Sequence, residues 1–377
     1  MAGQEIDFFS GKRKWSRLKD QVLRSYLPPY LKKVNRLGKA IVLVDSFAGP
    51  GMFEEDNEEG SPLIICKTAN EFVPGRFLAL LVNNDLQYHN ALEKNIHSFI
   101  KEEKAFAIHG TADDMLTELN KIIEDQTLFI YLDPFGLKGT NFETLKEFLS
   151  RDSTKYSTEL LINLSVPSII RLSCWRAYND KGTNSYIEAR HEIITKALGG
   201  DYWKSLILDT ETPLIIKQQR IVDEYISRLK EFLPNVGYCQ VSDRKTLKYV
   251  IIFTSRHPDA QELMNDIMFK AYWEYIWKDF STGTLFAEQD YQEMLPDSYY
   301  DNLEFNILEQ LNDIGKIKRK DLWYQFTKDY FMQYHSNHFR KKISELHKLN
   351  KIDFDDTRGT GKLNDDSVLF MKKRNGK

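Results

Sequence analysis

Short runs of uninterrupted apolar residues, spaced by helical patterns, constrain this chain more than any other feature. Ala40–Asp45, Phe77–Val82, Leu128–Asp133 and Leu160–Leu164 read as apolar strands, and Ala105–His109 as a shorter strand. A strand wet on one face alternates polar with apolar, whereas a strand buried on both faces does not. Between these runs lie helical patterns at Ser61–Phe72, Leu86–Glu102, Ala112–Ile123 and Thr140–Leu149. The expectation is an α/β protein whose parallel sheet is covered by helices on both faces.

Flanking segments refine this. Residues 12–37 look helical, with Trp15, Leu18, Val22, Leu23, Tyr26 and Leu27 at helical spacing until Pro28-Pro29 interrupts. Residues 167–232 break the rhythm, with Gly182 and Gly199-Gly200 as breaks, and read as a helical insertion over one end of the sheet. Gly237–Val241 and Leu247–Thr254, joined by a short turn containing Asp243, should pair antiparallel. Five strands in βα rhythm followed by an antiparallel hairpin form the doubly wound order of the Rossmann-like methyltransferases. Residues 301–377 look separate, with three short helices and then two strands around the polar loop Asp355–Asp366, the signature of a winged helix. The expected domains are a helical leader at 1–39, the sheet domain at 40–300 and the winged helix at 301–377.

The chain has 377 residues, enough for two or three domains at roughly 150 residues each. No apolar run approaches the ~20 residues of a membrane helix, and the N-terminus shows no secretory apolar region. Cys66, Cys174 and Cys239 are far apart, which disfavours a disulfide framework and a cysteine-held metal. A reduced, cytoplasmic protein is expected. The net charge of −3 looks unfit for nucleic acid, but it is unevenly distributed. Residues 301–377 carry 16 Lys+Arg against 12 Asp+Glu, a net of +4, which leaves the rest at −7.

Four motifs stand where the strands end. Asp45-Ser46-Phe47-Ala48-Gly49-Pro50-Gly51 follows the first strand, and its glycines allow close backbone approach to a ligand. It is not the dinucleotide fingerprint but the Asp-x-Phe-Ala-Gly-x-Gly pattern with which many methyltransferases cradle S-adenosylmethionine. Asp45, Phe47, Gly49 and Gly51 are the candidate contacts, and a tight strand–helix turn is the bland alternative. Asn83 and Asp85 close the second strand, where an acceptor for ribose hydroxyls is expected; Asp85 would serve equally as a helix N-cap. Thr111 and Asp113 follow the third strand as candidate adenine contacts, with a plain helix cap as the alternative for Asp113. Leu132-Asp133-Pro134-Phe135-Gly136 closes the fourth strand. Enzymes that methylate exocyclic amino groups of bases carry Asp/Asn-Pro-Pro-aromatic here. The Asp133 carboxylate and Pro134 carbonyl would accept from the amino group, and Phe135 would stack on an extruded base. Asp-Pro-x-Gly is also a good turn. No H-E-x-x-H, Gly-x-Ser-x-Gly or P-loop pattern appears.

Together the residues resemble the three-Cys-motif partner protein (TcmP) family of the S-adenosylmethionine-dependent methyltransferase superfamily. The resemblance is carried by Trp15-Ser16-Arg17-Leu18-Lys19 through Tyr26-Leu27, Asp45 to Gly51, Gly60-Ser61-Pro62-Leu63, Leu132 to Leu137, Ile162-Asn163-Leu164, and Tyr249 to Ser255 before His257-Pro258. It covers about residues 10–290. It implies a methyltransferase fold, S-adenosylmethionine as cofactor and a three-cysteine partner protein resembling radical-S-adenosylmethionine enzymes. Asn83 and Thr111 depart from the family's usual Glu and Asp. Lys19 would approach the cofactor carboxylate if the leader helix covers the glycine loop, or else lie solvated. Asn163 would line the substrate cleft or simply end its strand.

In the tail, the third helix carries Asn337, His338, Arg340 and Lys341, and the wing Arg358, as candidate nucleic-acid contacts, with Lys373 and Arg374 beyond. Asp353, Asp355, Asp356, Asp365 and Asp366 would repel phosphate, so protein docking stays open. In the insertion, Arg171, Trp175, Arg176, Tyr178, Arg190 and His191 mix cations with aromatics, as a wall over a base or as an amphipathic helix pair. The leading expectation is a methyltransferase acting on nucleic acid at a base amino group. Its rival is a weakly catalytic or non-catalytic partner protein that assembles a complex, in phage defence for example.

Overall fold

The computed structural model describes residues 14–53, 55–151, 155–243, 246–281, 295–359 and 361–372. The chain divides into two compact units, Met1–His257 and Pro258–Lys377. The division falls ahead of the boundary at residue 301 read from the sequence.

The first unit opens with α1 (Lys14–Val34), which runs through Pro28 and Pro29 rather than stopping at them. Each proline removes one helical hydrogen bond, at a cost of about 3 kcal/mol. The carbonyls left without donors are those of Arg24 and Ser25, on the exposed face, within reach of water. The opposite face buries Tyr26, Leu27, Tyr30 and Leu31, worth roughly 1.5–3 kcal/mol each, so packing outweighs the breaks.

Then come β1 (Ile41–Asp45), a small hairpin of β2 (Met52–Phe53) and β3 (Glu58–Glu59), α2 (Ser61–Phe72), β4 (Phe77–Asn83), α3 (Leu86–Asn95), α4 (His97–Lys101), β5 (Ala105–His109), α5 (Ala112–Ile122), β6 (Thr127–Leu132), α6 (Phe142–Leu149) and β7 (Thr158–Leu164). The insertion forms α7 (Val166–Ser173), α8 (Trp175–Lys181), α9 (Ser185–Leu198), α10 (Trp203–Ile207) and α11 (Leu214–Lys230). The hairpin of β8 (Asn235–Asp243) and β9 (Thr246–Ser255) ends the unit. The seven strands order as β5-β4-β1-β6-β7-β9-β8. The first five run parallel, and β9 pairs antiparallel with both β7 and β8. This is a mixed α/β fold in the expected doubly wound order. Every residue of β1, β6 and β7 is buried, which explains their largely apolar character, broken in β7 by Glu159 and Asn163.

The insertion differs from expectation. Trp203, Ile221, Val222, Tyr225 and Leu229 share one core cluster with Ile130, Leu132, Leu160 and Ile162 of the sheet. The helices therefore cover a sheet face and are part of the core, not an addition at one end.

The second unit holds α12 (Pro258–Ser281), α13 (Asp297–Ile314), β10 (Lys316–Lys318), α14 (Arg319–Asp329), α15 (Ser336–Lys348), β11 (Ile352–Asp355) and β12 (Val368–Met371). Its sheet orders as β10-β12-β11, all antiparallel. Leu303, Ile307, Phe326, Phe339, Ile343 and Leu369 anchor a separate core. On α12, Asn265 donates to the Tyr334 carbonyl at 2.9 Å and accepts from the Met332 N–H at 2.8 Å, which fixes the turn before α15.

Candidate active site

The strand order reverses at β1, whose neighbours β4 and β6 continue in opposite directions, so the loops after these strands part and leave a crevice. The loop after β1 is tied to both neighbours. The Ser46 N–H donates to the Tyr131 carbonyl at 3.0 Å, and the Ala48 N–H to the Val82 carbonyl at 2.8 Å. Gly51 adopts φ +90°, and a Cβ there would lie 3.3 Å from Asn95 Cβ, so the turn needs glycine. Asn95 Nδ2 donates to the Pro50 carbonyl at 2.7 Å and holds that turn.

The crevice has a volume of about 410 Å³, lined by Ser46, Phe47, Asp85, Tyr88, Thr111 and Phe135 among others. A smaller pocket of about 50 Å³ holds Lys19, Gly49, Gly51 and Asp133, and shares Phe47 and Phe135 with the first. The motif loops after β1, β4, β5 and β6 thus line two spaces with Phe47 and Phe135 common to both.

Individual side chains refine the expectations. Asp45 is fully buried beneath the glycine loop and lines neither space. Its Oδ1 accepts from the Phe47 N–H at 3.3 Å. Burial pushes its carboxyl up to about 7, partly offset by the Ser61 hydroxyl and the Phe47 N–H; Asp133 and Asp20 add to the rise. Asn83 spends both ends of its amide internally: Nδ2 donates to the Ala48 carbonyl, and Oδ1 accepts from the Asp85 N–H at 2.7 Å. These bonds tie the glycine loop to the start of α3, and the residue also lines the crevice.

Asp85 joins the two readings that the sequence left open. Its Oδ1 caps α3 by accepting from the Gln87 and Tyr88 N–H groups at 2.9 and 3.1 Å, while the residue also lines the crevice. Thr111 caps α5 by accepting from the Asp114 N–H at 3.1 Å, and it too lines the crevice. Asp113 does not. It turns to α6, accepting from Thr144 Oγ1 at 2.8 Å and Asn141 Nδ2 at 3.5 Å.

Asp133 is the hub. Lys19 Nζ lies 2.6 and 2.5 Å from its two oxygens, Asn163 Nδ2 donates to Oδ1 at 2.6 Å, and the Tyr131 hydroxyl donates to Oδ2 at 3.3 Å. Lys19 therefore meets the motif carboxylate rather than lying solvated. Pro134 is buried, and Phe135 stands 60% exposed and lines both spaces. Gly136 takes φ +94°, which lets the chain turn away behind Phe135. Tyr88, Lys138 and Tyr131 were missed from sequence. Tyr131 carried a signal: it sits two residues before Asp133, on the same strand face, in an otherwise apolar run.

In the second unit, Asn337, Arg340 and Lys341 are exposed on α15, and the two cations form no ion pair among the described residues. His338 is a correction. It is buried, 2.7 Å from the Tyr299 hydroxyl, and burial with the nearby His335 and Lys341 pushes it down to about 4. It is a neutral packing residue, not a nucleic-acid contact. Arg358 is exposed but paired with Asp366. The acids expected to repel phosphate are largely engaged: Asp355 with Lys316 at 2.9 Å, Asp365 with Arg319 at 2.7 Å, and Asp356 with the Arg358 N–H at 3.0 Å. Lys373 and Arg374 lie outside the described residues. In the insertion, His191 is buried 4.8 Å from the Trp203 ring, with Nε2 2.8 Å from the Ser173 carbonyl, which suits a helix pair better than a wall.

No family model matches this chain, and no curated protein does. Solved structures resemble part of the chain. An O-methyltransferase from Bacillus cereus, in complex with SAH, shares 12% identity over 60% of this chain and 78% of its own, at TM-score 0.32. A protein from Legionella pneumophila shares 11% over 70% and 94%, at 0.39. Spermidine synthase from Thermotoga maritima shares 9% over 64% and 61%, at 0.33. The strand order of the chain itself is that of a doubly wound, mixed α/β fold. No described helix is long and apolar enough to cross a membrane.

Proposed function

We propose that this chain is an S-adenosylmethionine-dependent methyltransferase acting on an exocyclic amino group of a nucleic-acid base. The observation that carries the reading is Asp133, followed by buried Pro134 and exposed Phe135, opening onto the same space as the Phe47–Gly51 loop. The cofactor fits by three features. The crevice of about 410 Å³ is within the size range of small-molecule sites. The Ser46 hydroxyl lining it is buried without a partner. Asp85 has Oδ2 to offer ribose hydroxyls while Oδ1 caps the helix. Phe47, Gly49, Gly51, Asp85 and Thr111 would hold the cofactor, which when bound supplies an electrophilic sulfonium methyl. Asp133 and the Pro134 carbonyl would orient the acceptor nitrogen, and Phe135 would stack on the base.

From α13 onwards the second unit runs helix, strand, helix, helix, strand, strand, which we read as a winged helix. Asn337, Arg340 and Lys341 on α15 would then engage the nucleic acid. The test is methyl transfer from labelled S-adenosylmethionine to cellular RNA and DNA, read by nucleoside mass spectrometry, for wild type and Asp133→Ala. A new mark in wild type that vanishes in the variant supports the reading; marks of equal abundance sink it.

A second reading, the partner protein that assembles with a three-cysteine protein, is favoured by one observation. Asn83 and Asp113 spend their polar groups inside the protein. Calorimetric titration with S-adenosylmethionine separates the two, because the partner reading expects no binding.

A further inference from the structure

The carboxylate assigned to the acceptor is already fully engaged. An ionised carboxylate offers about four lone-pair positions. On Asp133, two take N–H groups of Lys19, one takes Asn163 Nδ2 and one takes the Tyr131 hydroxyl. Tyr131 and Asn163 are 2% and 6% exposed and sit in buried strands β6 and β7. Lys19 is different. It comes from α1, outside the sheet, and lines the small pocket together with Asp133 and Phe135. The helix turn that carries it is pinned over the site by the Tyr249 hydroxyl, which donates to the Trp15 carbonyl, and by Arg17 on Glu58 at 2.9 Å. An amine therefore stands at the one donor position on Asp133 that can be vacated without disturbing the sheet.

We propose that Lys19 is a resident stand-in for the acceptor amine and a specificity-determining residue of the site. Its Nζ occupies the carboxylate that an acceptor amino group needs, so the acceptor binds by exchange with Lys19. This rests on the reading of Asp133 as the acceptor carboxylate. Exchange restricts the substrate class. An amino group brings two N–H donors, one for the Asp133 carboxylate and one for the Pro134 carbonyl. A hydroxyl brings one and leaves one of these two acceptors short of a donor, which is costly in a partly buried site. The site thereby favours amino-bearing bases over hydroxyl acceptors and over uracil-type bases that lack an exocyclic amine.

The test titrates adenosine, cytidine, guanosine and uridine onto the full chain saturated with S-adenosylhomocysteine, for wild type, Lys19→Met and Lys19→Arg. Methionine keeps the length of the stem and removes the donors, whereas arginine keeps two donors on the carboxylate. At least one amino-bearing nucleoside should bind Lys19→Met about tenfold tighter than wild type, the loss of one charge-assisted competitor. Uridine should gain nothing, and Lys19→Arg should behave as wild type. Where an acceptor is turned over, KM should fall in Lys19→Met. The proposal is overturned if no nucleoside gains affinity, if uridine gains equally, or if KM rises. Should Lys19→Met not fold, Lys19→Gln, a neutral and weaker donor, takes its place with the same sign expected. Gained affinity without methyl transfer by any form would sink the methylation reading and leave the exchange standing. Methyl transfer without any gain would do the reverse.

Discussion

The Tyr26 hydroxyl donates a 2.6 Å hydrogen bond to Glu159 Oε2 in the core, joining the leader helix to the start of β7. Glu159 is 3% exposed, and burial pushes its carboxyl up from 4.5 to about 7 despite the Tyr26 and Ser157 hydroxyls. Between those two pH values the folded state holds a proton that the unfolded chain has lost. Stability is therefore greatest below pH 4.5 for this group, falls as pH rises towards 7 and then levels off. The amplitude is on the order of 3 kcal/mol as an upper bound. Glu159→Gln keeps an acceptor for Tyr26 and cannot ionise. Its melting temperature should fall less across this window than that of wild type; parallel curves would show that Glu159 is not the group responsible.

Asp85 does two jobs that two substitutions can separate. Asp85→Ser retains a capping oxygen, so stability should stay near wild type while cofactor affinity drops by about tenfold, the loss of one charged acceptor. Asp85→Ala should lose the affinity and also about 1 kcal/mol of stability. Chemical denaturation paired with calorimetry reads both effects. Equal cofactor affinity in Asp85→Ser and wild type would remove the ribose assignment.

Gly51→Ala forces a side chain into φ +90° and brings Cβ within 3.3 Å of Asn95. A destabilisation of about 1–3 kcal/mol is expected, with weaker cofactor binding because the loop carries Gly49 and Phe47. Thermal melts and cofactor titration check it. An unchanged melting temperature would mean that the turn relaxes freely.

On α15, Arg340→Ala and Lys341→Ala should each weaken binding to a short duplex or single strand, and each should lower the slope of log affinity against log salt by about one. His338→Ala should instead destabilise the unit, because the imidazole packs against Tyr299 and Phe269. A salt slope that stays at the wild-type value in both cation variants would point to protein docking.

Much of the sheet is legible residue by residue, because strand burial and helix capping are local. The apolar runs of β1, β6 and β7, the glycine turn at Gly51 and the cap at Asp85 follow from side-chain type and immediate neighbours, whereas the cap of α5 falls on Thr111 and not on Asp113. The same residues mark the sheet edge where a ligand would bind. What the residue order alone leaves undecided is which polar groups meet. Lys19 and Asp133 lie 114 residues apart and pair only because α1 is held across the sheet. Asp113 turns to α6 and His338 into a core, although their spacing allows a site role equally well. Pro28 and Pro29 read as a helix end until the buried face of α1 outweighs two missing hydrogen bonds. Local propensity sets the elements. Long-range packing, which depends on topology, selects the partner of each charge, and through Asp133 and Lys19 it defines the candidate chemistry.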